Sequence, residues 1–180
     1  MLTGPRVALR SPRQEDAEIF ITEIYDDVDT WSRLDDAGWR PMHVGAQLPW
    51  VPHEANPALA AFTVVERDAG EVLGAASLWG IDLHNRRAHL GVSLRPSARA
   101  RGLGTEVVGV LCDYGFRVLG LHRLSIETLA DNAAMRGVAD AAGFRLEGTS
   151  RSSSWVGGAF LDDVQYGLLA EEWDAKRGAR

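Results

Sequence analysis

One cysteine, Cys112, in 180 residues excludes an internal disulfide framework and a thiolate-rich metal centre. The five histidines stand singly, and no Cys/His cluster has metal-ligand spacing, so no metal is expected. No apolar run approaches the roughly 20 residues of a membrane-spanning helix, which argues against a membrane partner. Met-Leu-Thr-Gly-Pro-Arg meets charge too early for a secretory leader, so a cytoplasmic protein is expected. Basic side chains are in the minority, 19 against 25 acidic, and a net charge of -6 argues against a general nucleic-acid binder. Repeats and low-complexity tracts are missing too. What remains is 46% hydrophobic and 24% charged, an ordinary globular composition. A single domain over 1–180 is long enough to bury a proper core.

Two periods alternate along the chain. Arg6–Arg10 alternates like a strand, Ser11-Pro12 offers a helix start, and Gln14 to Tyr25 reads as a helix. From Asp36 to Pro57 four prolines, Trp39, Trp50, His43 and His53 sit in a stretch with neither period. That reads as an irregular loop, the kind of segment that often carries function or is pinned by its tryptophans. Ala61–Glu66 and Val72–Trp79 make an antiparallel hairpin about a turn at Arg67–Gly70, and Arg87–Leu94 is the next strand. Leu103, Val107, Val110, Leu111, Tyr114 and Val118 fall on one helical face that Gly120 ends. A short strand follows in which Leu124 and Ile126 alternate with Arg123, Ser125 and Glu127. Asn132 to Ala142 is a second helix with Gly143 as its left-handed cap. Strands around Arg145–Trp155 and Phe160–Leu169 close an α/β fold.

The most informative stretch is Leu94-Arg-Pro-Ser-Ala-Arg-Ala-Arg-Gly-Leu-Gly-Thr105. A strand ends, glycines stand at 102 and 104, and a long amphipathic helix begins. Such a junction aims unpaired N–H groups and the positive end of a helix dipole at one spot. Arg95, Arg99 and Arg101 add charge to an otherwise acidic chain. The pattern suits phosphate oxygens. It is not a nucleotide P-loop, because Gly104 is followed by Thr105-Glu106 rather than Lys-Ser/Thr. A dinucleotide fingerprint would need glycine where Val107 stands. The bland alternative is a glycine-rich turn with solvated arginines.

Arg99-x-x-Gly102-x-Gly104 resembles the pyrophosphate signature of the GNAT acyltransferase superfamily. Ala88-His-Leu-Gly-Val-Ser-Leu94 is similar to its fourth strand, and Asn132 followed by Gly143-Phe144 to its CoA-side helix. Arg10–Asp16 and Trp155…Asp162-x-x-x-Tyr166…Glu172-Trp173 resemble the opening and the C-terminal hairpin of the branch that acetylates ribosomal-protein N-termini, the Rim-like branch. The resemblance covers nearly the whole chain. It implies a single-domain GNAT fold, a mixed and mostly antiparallel sheet whose fourth and fifth strands splay between flanking helices. The implied reaction moves an acetyl group from acetyl-CoA, or another acyl group from its CoA ester, to a primary amine.

Carried to matching positions, the resemblance implies that backbone groups of Val92 and Leu94 pair with the pantetheine arm. Arg99, Ala100, Arg101, Gly102, Leu103, Gly104 and Thr105 would wrap the pyrophosphate, and Asn132 would hydrogen-bond the co-substrate. Met135 stands where the branch often has Ser, and a thioether cannot protonate a leaving thiolate, so no general acid is assigned. His89 stands where the branch commonly has Glu and is the candidate base, since imidazole titrates in the useful range. By alternation it shares a face with Gly91 and Ser93, opposite Leu90 and Val92. The competing reading is a partly exposed structural histidine. His43 and His53 are weaker candidates, and Asp162 and Tyr166 are candidates to line the acceptor site.

Between Glu15 and Asp36 nine acidic residues face one basic residue, Arg33. In the resembled fold this segment walls the acceptor cleft, and an acidic wall would attract a cationic amine such as a peptide N-terminus or a polyamine-like small molecule. The plainer reading is a solvated helix face. Trp31, Trp39 and Trp50 suit an acceptor pocket or core packing equally well. Other readings stay open: a small-amine or antibiotic acetyltransferase, a succinyl-CoA-type acyltransferase, and a non-catalytic acyl-CoA sensor. The aromatic C-terminal hairpin is compatible with a homodimer.

Overall fold

Alternating buried and exposed positions in the strands build a sheet, and that sheet sets everything else. The computed structural model describes residues 1–34, 38–42 and 56–178. Its strands are β1 (Leu2–Thr3), β2 (Val7–Arg10), β3 (Leu59–Glu66), β4 (Val72–Asp82), β5 (Arg87–Leu94), β6 (Arg123–Leu129), β7 (Arg145–Val156) and β8 (Ala159–Leu169). They form one sheet in the order β1-β2-β3-β4-β5-β6-β8-β7. Every neighbouring pair is antiparallel except β5 and β6, which run parallel. The strands expected to splay as fourth and fifth are β5 and β6, because the short β1 adds one at the edge.

Helices cover both faces. On one lie α3 (Leu103–Asp113, running into a π-turn at Tyr114–Val118) and α4 (Ala133–Ala142). Val107, Val108 and Leu111 of α3 are buried with Val7, Leu9, Leu78, Leu90, Leu124 and Ile126 in the main core. The other face is covered at β2–β4 by a helical run: a 3-10 turn at Gln14–Asp16, α1 (Ala17–Phe20) and a π-turn at Ile21–Tyr25. Phe20 and Ile24 pack there on Ala8, Val65 and Val72. This explains why Val7, Ala8 and Leu9 are all buried: β2 is covered on both faces. A short α2 (Val28–Ser32) follows, capped by the Asp27 carboxylate, which accepts from the Thr30 N–H at 3.2 Å.

The chain ends in α5 (Ala170–Gly178), so Glu172 and Trp173 belong to a helix and not to the C-terminal hairpin. Trp173 is buried against α3, and its indole N–H donates to Asp113 at 3.1 Å. Among the described residues no helix is long and apolar enough to cross a membrane.

Candidate active site

The parallel pair β5–β6 has only three rungs: Arg87 with Arg123, Ala88 with Leu124, and His89 with Ser125. Beyond His89 the strands continue, β5 to Leu94 and β6 to Leu129, with no rung joining them. The facing backbone edges are therefore open, and an extended ligand can occupy them as an added strand would. His89 and Ser125 form the crotch of this fork. Val92 and Leu94 lie on its near arm, packed against the main core, while His89, Gly91 and Ser93 alternate onto the opposite face.

Where the near arm ends, the glycine–arginine loop begins. A 3-10 turn at Pro96–Ala98 leads to Arg99, then Ala100 and Gly102 are left-handed, with φ +57° and +72°. Such reversals turn successive N–H groups inward, as in anion-binding nests. α3 starts at Leu103 with no side-chain cap, which leaves its first N–H groups for a ligand. The loop thus fits a pyrophosphate. Gly104 is needed for packing as well: a Cβ there would lie 3.1 Å from Val138 of α4. The Arg99 Nε donates to the Leu94 carbonyl at 2.9 Å, tying loop to strand. Arg101 stays half exposed, 3.8 Å from Glu66. Thr105 lies in the first turn of α3.

Arg95 departs from expectation. Its guanidinium is held by Glu23 at 2.8 and 2.5 Å and donates to the Val72 carbonyl at 2.6 Å. It is a strut between the loop and the first helical run, with no free charge for a phosphate. Asn132 caps α4: its side-chain oxygen accepts from the Met135 N–H at 3.1 Å, and its amide donates to Thr128 at 3.0 Å. Met135 packs at the edge of the core, and α4 carries no hydroxyl or thiol.

His89 is half-buried and stacked on Trp79, ring centroids 4.3 Å apart and planes 18° from parallel. Its Nδ1 and the Ser93 hydroxyl are the buried side-chain atoms without a hydrogen-bond partner among the described residues. Burial holds the imidazole below the usual histidine pKa; Glu127 pulls it up, and Arg87 and Arg123 push it down. The ring is therefore neutral at neutral pH and able to take a proton. Strand alternation gave the face of His89 correctly. Trp79 and Glu127 carry no local sequence signal, and only the β4–β5 and β5–β6 registers reveal that they border the same fork.

Other candidates have structural partners. Tyr166 is buried on the α4 face with its hydroxyl 3.4 Å from Arg136 Nε, and Asp162 accepts the Ser152 N–H at 2.8 Å. Trp31 packs on Tyr25 with ring centroids 4.7 Å apart, and the Trp39 indole N–H donates to the Tyr25 carbonyl at 2.9 Å, so both serve packing. Trp50, His43 and His53 lie outside the described residues. Cys112 is fully buried, and burial pushes its thiol pKa up, which suits an inert core residue. Among the described residues no group of three or more His, Cys, Asp or Glu side chains gathers as for a metal ion.

The loop and the uncapped helix follow directly on the strand that forms the near arm of the fork, and residues 6–145 match the model of the "Acetyltransferase (GNAT) domain" family. The chain belongs to the GNAT acetyltransferase family. It is 32% identical over 108 residues to the Bacillus subtilis protein named "Putative ribosomal N-acetyltransferase YdaF", covering 60% of this chain and 59% of that one. It is 27% identical over 113 residues to spermidine N(1)-acetyltransferase of Escherichia coli K12, covering 63% and 60%. A crystal structure of spermidine N-acetyltransferase from Vibrio cholerae, in complex with CoA and spermine, superposes with a TM-score of 0.79. That match covers 93% of this chain and 98% of the other at 17% identity, a likeness of fold. The chain spans about three fifths of the length of the curated relatives it matches.

Proposed function

We propose that this chain transfers an acetyl group from acetyl-CoA to the primary amine of a cationic acceptor, with the fork at His89 as the reaction centre. The observation that carries this is the end of β5–β6 pairing at the His89–Ser125 rung, beside a helix N-terminus that no side chain caps. Residues 99–105 would hold the pyrophosphate, and backbone groups of Val92 and Leu94 would align the arm along the open edge. The remaining N–H of the Asn132 amide is available to the co-substrate from the far side.

The acceptor would approach from the His89 face. Its nitrogen attacks the thioester carbonyl carbon, a C–N bond forms, and the C–S bond breaks. His89 takes the proton that the ammonium must lose, directly or through water. A backbone N–H near Val92 stabilises the oxyanion. The thiolate takes its proton from water, since α4 offers no acid.

The likeness to YdaF favours a protein or peptide N-terminus as acceptor, and the likeness to spermidine N(1)-acetyltransferase favours a small polyamine. Both are cationic primary amines. The test is to offer acetyl-CoA with short peptides and with small amines and to read the products by mass. N-terminally acetylated peptides support the first acceptor class. Products confined to small amines remove it, and CoA binding without any product leaves a sensor.

A further inference from the structure

The two arginines beside the crotch of the fork are paired with carboxylates. Arg87 lies 3.6 Å from Asp82, and Arg123 forms a two-pronged pair with Glu147. Glu127 has no cationic partner within salt-bridge distance among the described residues. It stands on β6 two residues past Ser125, on the same face as His89 and roughly 7 Å along the far arm. Its side chain is exposed, and the Gln165 amide donates to its Oε1 at 3.3 Å and to the Ser150 hydroxyl at 2.9 Å. A neutral amide therefore contacts the carboxylate and leaves its charge uncompensated.

The near arm opposite is bare. Gly91 holds the matching place on β5, and a Cβ there would meet the Ser77 hydroxyl at 3.3 Å and the Trp79 indole nitrogen at 3.8 Å. Ser77 and Trp79 of β4 thus flank Gly91 closely, and across the fork from His89 stands a carboxylate with no cation beside it among the described residues. An ammonium ion pairing with that carboxylate would lie across the fork from the imidazole.

We propose that Glu127, contacted by Gln165, is the anchor for the acceptor's ammonium group, which selects amines that reach the fork as cations. This rests on the acetyl-transfer reading above. The attraction acts on the charged amine before His89 removes its proton, so it raises occupancy of the site more than the rate of the chemical step.

The experiment compares the parent with Glu127→Gln, an isosteric change that keeps the Gln165 contact, and with Glu127→Asp. The probes are butylamine, a cation at about pH 7, and O-methylhydroxylamine, uncharged there. Calorimetry on the CoA-loaded protein reads binding, and transfer from acetyl-CoA reads KM and kcat. In Glu127→Gln butylamine binding weakens about tenfold, KM rises by the same factor with little change in kcat, and the salt dependence of binding shrinks. The preference for butylamine over O-methylhydroxylamine drops by that factor, and Glu127→Asp recovers part of it. An unchanged preference with transfer intact overturns the anchor and leaves the acetyltransferase reading standing. Glu127-dependent ammonium binding in a parent that transfers nothing does the reverse. If the parent binds neither amine, the anchor is overturned.

Discussion

Gly102→Ala separates the phosphate-binding role of the loop from its role in the fold. At φ +72° an alanine sits in the left-handed region at a cost of about 1 kcal/mol. The added Cβ meets nothing closer than the Arg6 guanidinium at 3.8 Å, an ordinary contact, so no steric cost is added. The melting temperature should therefore fall by only roughly 2–4 °C. Binding should suffer far more. The methyl group obstructs the approach of an anion, and relaxation of residue 102 toward right-handed values turns away the N–H groups at the start of α3. Each hydrogen bond to a charged oxygen is worth about 1.5–3 kcal/mol, so the loss of one weakens CoA binding about ten- to hundredfold. Gly70→Ala is the control: its φ is +74°, a Cβ there meets nothing within 4 Å, and it lies in the β3–β4 turn. Both variants should melt alike, and only Gly102→Ala should lose CoA by calorimetric titration. If Gly102→Ala binds CoA within about twofold of the parent, the phosphates do not sit on this loop.

His89→Ala should lower turnover at neutral pH by about 10²-fold, with partial recovery as pH rises and little change in CoA affinity; an unchanged pH–rate profile moves the base elsewhere. Because burial keeps His89 below the ordinary value, the acid limb of kcat/KM should lie below about pH 6.5. Trp79→Leu uncovers the ring and should shift that limb upward; a fixed limb would mean that another group titrates. For Asp16, burial raises the pKa, but bonds from Arg10, Thr63 and the Arg13 N–H outweigh it and hold the carboxyl below its usual value. Its stabilising contribution is present above the ordinary carboxylate pKa and lost as pH falls through the lower folded value. Asp16→Ala should cost about 3 kcal/mol, read as a shift in urea midpoint, since Asp16 is 2% exposed and its loss strands Arg10. Gly104→Val should lower the melting temperature as well as CoA affinity, because its side chain would strike Val138.

The strands and long helices were legible because their apolar spacing is regular: Leu103 to Val118 repeats at helical period, and Arg87–Leu94 and Leu124–Ile126 alternate. α5 was not, since Trp173 is its one large buried apolar side chain and the rest of Ala170–Gly178 is polar. α2 has a single readable signal, the Asp27 and Thr30 cap, in a helix too short for a period to show. At the site, the glycines announced the loop, but Ala100 at φ +57° is a residue that normally avoids that region and gives no sign of itself. Arg95 read as a phosphate-binding charge because its partner Glu23 lies 72 residues away, a distance that no local spacing reports. Glu127 read as one more polar position on an alternating strand. That no cation among the described residues pairs with it depends on β5–β6 and β6–β8 register, which is a property of the sheet.

That register also explains why one place in the sheet can host the chemistry. At the antiparallel neighbours joined by hairpins the edges are paired nearly along their length, as β4 and β5 are from Leu94 back to Arg87. A parallel neighbour needs a crossover, and here the crossover is α3, which starts where β5 ends. The positive end of α3 is thereby fixed at the open end of the fork, and the crotch at His89 lies five residues back, about 17 Å along the strand. An anion held at the helix start and an acyl group delivered to His89 must then be joined by an extended arm along the free edge of β5. The Arg95–Glu23 strut ties that arrangement to the first helical run. One element order thus sets the loop, the open edge of β5 and the crotch of the fork in a line, and on the proposed reading side chains such as His89, Trp79 and Glu127 decide what is done there.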